Sequence, residues 1–278
     1  MTTAIDWNKV WMERMRRSTW SRKENERKEY WDDKTAKEYY ESMKGIPRVG
    51  EILAALALDD KSTFLDIGSG PGIFAIPAAR ACRRVTAVDP APAVLSCLRR
   101  NADAENLTNI SYVNKKWEDV IPNEDVGPHD VLFASYCLSM LDMRAALSKM
   151  DALARRSVHL IMPAGDAMES YRDLWLEIHG KPFVEGPGYI HVYNILHDMG
   201  IHANVEITEV EFPHFYTGLG EAVKLWKKMF CVDAEAGTEI LRSRLPSILD
   251  ERDGMLWWTR TEKSARIWWR KSPAAETG

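Results

Sequence analysis

Phe64-Leu65-Asp66-Ile67-Gly68-Ser69-Gly70-Pro71-Gly72 is the stretch that decides how this chain is read. A short apolar run carrying one acidic residue passes directly into three alternate glycines. Without a Cβ, glycine takes positive φ readily and lets the backbone come close to a ligand. At the carboxyl end of a strand in an α/β sheet, such a turn is a place for a nucleotide-like cofactor. The spacing narrows the class further. A dinucleotide fingerprint Gly-x-Gly-x-x-Gly beginning at Gly68 needs glycine at position 73, where Ile73 stands, so a plain NAD site is disfavoured.

The pattern on either side supports a cofactor-binding sheet. Arg84-Val85-Thr86-Ala87-Val88-Asp89 reads as the next strand and ends in a carboxylate. About twenty residues after the turn, an acidic group at that strand tip can accept both hydroxyls of a ribose. Asp89 also reads as a cap for the helix that Pro90-Ala91-Pro92 opens, and the two roles are compatible. A third strand, Ile110–Val113, leads to Trp117-Glu118-Asp119, and a fourth, His129–Ser135, leads to Tyr136-Cys137-Leu138. A fifth covers Ser157–Met162, and an apolar helix over Val49–Leu58 precedes the first. Strands that alternate with helices in this way predict a parallel sheet with helices on both faces.

Asp66-x-Gly68-x-Gly70-x-Gly72 resembles the first motif of class I S-adenosylmethionine-dependent methyltransferases, and the resemblance extends over residues 60–165. It implies a Rossmann-like, doubly wound, mostly parallel seven-stranded sheet whose last strand, Ala265–Arg270, is antiparallel. It implies S-adenosylmethionine as methyl donor and S-adenosylhomocysteine as product. The cofactor residues it indicates are Asp66, Gly68, Ser69, Gly70, Pro71, Gly72, Asp89, Pro90, Trp117, Glu118 and Ser135. One departure stands out: Lys115-Lys116 occupy the places where the family often has Gly-Asp before the residue whose amide reads adenine. A backbone amide does not depend on the side chain, and the Trp117 indole offers an apolar face, so Trp117 and Glu118 are still expected beside the base.

Composition limits the other readings. The 278 residues, 45% of them hydrophobic, suffice for one large core with decoration. A formal net charge of −4 gives no global attraction to nucleic acid or anionic lipid. Cys82, Cys97, Cys137 and Cys231 lie far apart with no Cys-x-x-Cys pair, so neither a disulfide framework nor a metal site is expected. The residues from Met1 to Trp7 lack a leader pattern and no apolar run approaches a membrane span, which makes cytoplasmic residence the default. Nothing assigns an oligomeric state.

The expected organisation is an N-terminal helical cap over 1–48, a cofactor-binding core over 49–163, an inserted helical cap over 164–202, the rest of the core over 203–272 and a disordered tail over 273–278. Trp7, Val10, Trp11 and Met15 predict one amphipathic helix, and Tyr30, Trp31, Ala36 and Tyr39-Tyr40 a second within Lys23–Met43. Arg14, Arg16, Arg17, Arg22, Lys23, Arg27 and Lys28 form the densest basic zone, interleaved with Glu13, Glu24, Glu26 and Glu29 as on a solvated face. Further helices are expected over Met168–His179, Tyr189–Met199, Gly220–Phe230 and Glu235–Leu249, with a strand over Asn204–Phe212 and Trp257-Trp258 in a turn or short strand.

Methyl transfer from a sulfonium is an in-line displacement of a good leaving group, so the protein mainly aligns the nucleophile and excludes water. A base is needed only where the acceptor must lose a proton. Candidates for that role are His191, Tyr136 and Tyr40, and for acceptor contacts Trp31, Tyr39, Tyr136, His191, Tyr193 and Asn194; His179 is a further one. His191 and His197 are six residues apart, off the spacing that puts two ligands on one helical face. The leading expectation is a small-molecule methyltransferase. The alternatives are a tRNA or rRNA methyltransferase using the basic 14–28 zone, and a non-catalytic binding protein on the same fold.

Overall fold

The computed structural model describes residues 5–19, 31–165 and 168–271. Arg22, Lys23, Arg27 and Lys28 of the basic zone, with Tyr30, Glu24, Glu26, Glu29 and the 273–278 tail, lie outside the described residues.

The strands are β1 (Thr63–Ile67), β2 (Arg84–Val88), β3 (Ile110–Val113), β4 (His129–Ser135), β5 (Ala154–Pro163), β6 (Asn204–Tyr216), β7 (Asp250–Arg252) and β8 (Met255–Arg270). They join one sheet in the order β3-β2-β1-β4-β5-β8-β6, with β7 paired to β8 off this path. The first five are parallel, in registers such as Leu65 with Thr86 and Leu132. Along β5 and β8 the partner numbers run oppositely: Lys271 N donates to Arg156 O, and Ala164 N to Lys263 O. The last strand is therefore antiparallel to the rest. It is longer than the apolar run at Ala265–Arg270 indicates and contains Trp257 and Trp258. β6 likewise continues past Phe212 through Pro213 to Tyr216, a proline that an edge strand tolerates because no ladder donor is lost there.

The residues divide into two compact units. The first takes the chain to 162, then 186–206, and the segment from 265. Its helices are α1 (Trp7–Arg17), α2 (Asp33–Met43), α3 (Pro47–Ala55), α4 (Ala75–Ala81), α5 (Pro92–Ala104), α6 (Met143–Leu153) and α8 (Tyr189–Asp198). Pro47 and Pro92 open their helices at the first turn, where a missing N–H costs nothing. Phe64, Ile76, Leu98, Val131 and Phe133 form the core between β1, β2, β4 and the helices α4 and α5. α2 packs on α5, and α1 packs on both α6 and α8.

The second unit takes 163–185 and 207–264 and holds α7 (Arg172–His179), α9 (Leu219–Phe230) and α10 (Glu235–Arg244). Trp175, Trp226, Phe230, Leu241, Leu245 and Trp258 are buried in its core. The segment 164–202 is thus shared between the units: α7 packs on α10, whereas α8 packs on α1 and α6. The helix expected over Met168–His179 begins as a 3-10 turn, Glu169–Tyr171.

α1 is anchored by Trp11, which is 1% exposed and whose indole N–H donates to Met140 O at 2.9 Å. Trp11→Ala removes a large buried side chain and is expected to cost about 3–5 kcal/mol. Trp11→Phe keeps most of the volume but leaves the Met140 carbonyl unpaired, for about 1–3 kcal/mol. Urea unfolding midpoints of the two variants should fall in that order; equal midpoints would show that the indole bond contributes nothing.

Candidate functional site

The glycine turn follows β1 at the carboxyl edge of the sheet. Gly68 N and Ser69 N both donate to Val88 O, at 2.8 and 3.1 Å, which locks the turn to the end of β2. Gly68, Gly70 and Gly72 all have positive φ, the region L side chains avoid. At Gly68 a Cβ would stand 2.4 Å from Cys137 Cβ, so the residue after Tyr136 fills the space glycine leaves. At Gly70 a Cβ would meet nothing within 4 Å. The first glycine makes room for the protein, and the second leaves open space for something else.

Asp89 binds this turn from the neighbouring strand. Its Oδ2 accepts from Gly70 N at 3.0 Å and its Oδ1 from Ala91 N at 2.9 Å. The carboxylate therefore joins the turn to the connection after β2; the N-cap of α5 is Ala91, and no side chain caps that helix, so the capping role expected for Asp89 is not the one it takes. Each oxygen still has a lone pair to offer. Asn114 adds an amide bond to Asp89 O at 3.0 Å, tying in the end of β3. Burial holds the Asp89 carboxyl above its ordinary range, against the two backbone bonds that lower it.

Asp66 and Ser69 are the unsatisfied groups of the turn. Asp66 Oδ2 and Ser69 Oγ are buried with no hydrogen-bond partner among the described residues. Burial pushes the Asp66 carboxyl well above the usual range and the charge of Asp89 adds to this, while a bond from the Ala75 amide at the start of α4 opposes it. Buried polar groups left unpaired are costly unless a ligand or water completes them. Two such atoms beside an open glycine fit a polar ligand with a cationic part.

The remaining sequence candidates are spread over several elements. Trp117 is 3% exposed; its indole N–H donates to Ala146 O at 3.2 Å, and Lys149 lies over its ring. Its side chain is therefore engaged with α6, while Glu118 is exposed. Lys149 Nζ also donates to the carbonyls of Trp117, Glu118 and Val120 at 2.7–2.9 Å, fixing this 3-10 turn. Lys115, the departure from the family pattern, is spent on both oxygens of Asp125 at 2.7 Å. Pro71 is buried, with its carbonyl on the Asn101 amide, and Pro90 is exposed beside Asp89.

Ser135 ends β4 and Tyr136 follows with φ of +51°, a strained value for a large side chain, and its ring is 46% exposed. Cys137 donates its thiol to Ile67 O at 3.0 Å. Burial pushes that thiol up, with Asp66 and Asp89 adding to the effect, so it stays a protonated donor. Asn8 donates to Asp142 and Trp11 to Met140, which brings α1 against the same segment.

His191 on α8 is buried edge-on to Trp7 at 6.0 Å, and its Nδ1 lies 3.2 Å from the Gly188 backbone. Burial holds it below the usual histidine range, with Arg14 contributing, so it is neutral at neutral pH. Tyr193 is half-buried on the same helix, and the Asn194 amide is spent on Ile190 O. Trp31 and Tyr39 pack edge-to-face at 5.5 Å. Tyr40 faces a cavity of about 280 Å³ with Ile73, Ile76 and Arg80, and burial raises its hydroxyl above the usual range. His179 belongs to the second unit, where it bonds Phe230 O. Among the described residues no three or more His, Cys, Asp or Glu side chains gather as a metal site, and no helix is long and apolar enough to cross a membrane.

Cys137, Asn114, Asn8 and Trp11 are the supporting residues that sequence reasoning missed as such. The adjacency of Cys137 to Tyr136 was the one available signal, since its effect on Gly68 exists only through the fold.

With this geometry in view, residues 64–157 match the methyltransferase-domain family. An uncharacterized protein of Haemophilus influenzae is 30% identical over 184 residues, which cover 65% of this chain and 66% of the relative. Among solved structures, the YcgJ protein from Bacillus subtilis aligns with a TM-score of 0.55 and 13% identity, covering 81% of this chain and 98% of that one. A Bacillus halodurans C-125 protein, provisionally assigned as a methyltransferase, aligns with a TM-score of 0.53 and 16% identity, covering 80% and 98%. At such identities these two structures show a shared fold. The glycine turn, the carboxylate at the tip of β2 and the match over 64–157 agree: the chain carries a methyltransferase domain over these residues.

Proposed function

We propose that the chain transfers a methyl group from S-adenosylmethionine to a small-molecule acceptor. The observation that carries the donor half is the turn at Gly70, open on its Cα side and flanked by unpaired Asp66 Oδ2 and Ser69 Oγ. When bound, the cofactor supplies a methyl group activated on a sulfonium. The spare lone pairs of Asp89 accept ribose hydroxyls, Asp66 and Ser69 serve the cationic end, and the backbone at Trp117 and Glu118 serves the base. Pro90 and Ser135 border the same strand tips.

The acceptor half is supported by α1, whose bonds to Met140 and Asp142 set an aromatic helix beside the segment that follows Tyr136. Tyr136, with its strained backbone and exposed ring, is the acceptor-side residue we assign first. His191 is a neutral imidazole on α8, able to take a proton where the acceptor must lose one. Trp31, Tyr39, Tyr40, Tyr193 and Asn194 are wall residues in this reading. Release of S-adenosylhomocysteine over a panel of phenols, amines, thiols and carboxylic acids, run beside total RNA, tests it. Turnover on RNA alone, lost steeply with added salt, would replace it with the nucleic-acid reading, in which Arg14, Arg16 and Arg17 at the end of α1 grip phosphates.

Two substitutions separate donor from acceptor. Tyr136→Ala is expected to lower kcat/KM about tenfold or more with S-adenosylhomocysteine affinity unchanged. An equal loss in both would move Tyr136 to the cofactor side.

Asp66→Asn tests the unpaired carboxyl. The folded state holds the Asp66 proton more tightly than the unfolded chain does. The contribution of Asp66 to the stability of the ligand-free protein is thus full below the ordinary carboxylate range and is lost as pH rises towards the raised value of the folded state. The asparagine variant should lose this pH dependence, melt higher at neutral pH and bind S-adenosylmethionine more weakly. A melting temperature that follows pH identically in both proteins would contradict the assignment.

A further inference from the structure

The second unit contains a polar cluster that its own fold leaves incomplete. On the inner face of the β6–β8 ribbon, His214 stacks on Trp258 at 4.9 Å, and Arg260 lies over the Phe212 ring at 5.2 Å. Arg260 Nε is 2.9 Å from Glu262 Oε1, an ion pair without a well-aligned hydrogen bond. Trp258 donates its indole N–H to Tyr171 OH at 2.7 Å, and this is the hydroxyl that closes the cluster from the 169–171 turn. His214 Nε2 is buried with no hydrogen-bond partner among the described residues.

Two buried nitrogens there, Arg260 Nε and His214 Nε2, have no hydrogen-bond partner among the described residues. The Tyr171 hydroxyl accepts from Trp258 and keeps its own proton to donate. Glu262, whose side chain is 8% exposed, lies against the guanidinium at Nε. The Arg260 side chain is 30% exposed, so the cluster reaches the surface. Purely structural ion pairs of this burial satisfy their donors, because an unpaired buried donor costs as much as the bond it lacks.

We propose that this cluster is a binding site for an aromatic carboxylate, with Arg260, Tyr171 and His214 as donors to the carboxyl group and Phe212 and Trp258 as the apolar wall. An arginine fork matches a carboxylate in shape and charge, and aromatic surface beside it suits a planar body. Glu262 is the positioning residue that aims the guanidinium. Burial holds Glu262 above its ordinary range, opposed by Arg260, and holds His214 below its own, with Arg260 contributing. The site lies wholly within the second unit and does not depend on the methyl-transfer reading.

Calorimetric titration of the full chain with benzoate and indole-3-acetate, with benzamide as neutral control, tests the proposal. Intrinsic tryptophan fluorescence gives a second readout, because Trp258 and Trp226 sit 4.8 Å apart at the wall. One carboxylate should bind with one-to-one stoichiometry at least tenfold more tightly than benzamide, and Tyr171→Phe should weaken it. Arg260→Gln alone strands a buried carboxylate, so Arg260→Gln/Glu262→Gln is the matched variant; it should fold and lose carboxylate binding about tenfold or more. Failure of both carboxylates to saturate at about 10 mM, or equal affinity in the double variant, overturns the site. Titration with S-adenosylhomocysteine in the same samples reads the cofactor claim separately.

Discussion

One carboxylate organises the cofactor side of this molecule. Asp89 accepts from Gly70 N and from Ala91 N, and its carbonyl accepts from Asn114. Three connections that leave the sheet at different points, after β1, β2 and β3, are thereby fixed to one residue. A fourth joins through Cys137, whose thiol bonds Ile67 O and whose Cβ occupies the space beside Gly68. The turn is rigid where glycine meets protein and open where Gly70 faces nothing within 4 Å. Preorganisation of this kind lets a site bind without first ordering itself.

The cost of the arrangement is electrostatic. Asp66 and Asp89 are both buried carboxyls raised above their ordinary range, and Asp66 has an oxygen with no partner among the described residues. A protein selected for stability alone would not keep that pair. Its persistence beside an open glycine makes sense for a ligand that brings hydroxyls and positive charge, which is what S-adenosylmethionine offers. The same reasoning, applied to Arg260 and Glu262 in the second unit, leads to an anionic ligand, because there the unspent groups are donors.

The parts of this account legible in the sequence were those set by local backbone requirements. The glycine turn and the carboxylate at the tip of β2 could be placed because positive φ and strand-end spacing constrain residue type directly. β3 and β4 match their apolar runs residue for residue. β8 was harder to read, because Arg260, Glu262 and Lys263 interrupt its apolar pattern, yet cross-strand partners hold them in a sixteen-residue strand. The segment 164–202 reads as one insertion, but its two helices pack on different partners, and packing partners are not written locally. The roles of Cys137, Asn114 and Trp11 arise from contacts between distant segments, which no single-sequence pattern carries. The bond of the Trp117 indole N–H to Ala146 O is of the same kind, joining segments 29 residues apart.

Calorimetric titration of S-adenosylhomocysteine into the wild-type chain and into Asp89→Ala tests the central claim most directly. The account predicts one site per chain in the wild type and a loss of at least about tenfold in affinity on removing the carboxylate that holds the turn and its spare lone pairs. Saturable binding that is indifferent to Asp89, or none to the wild-type protein, would contradict it.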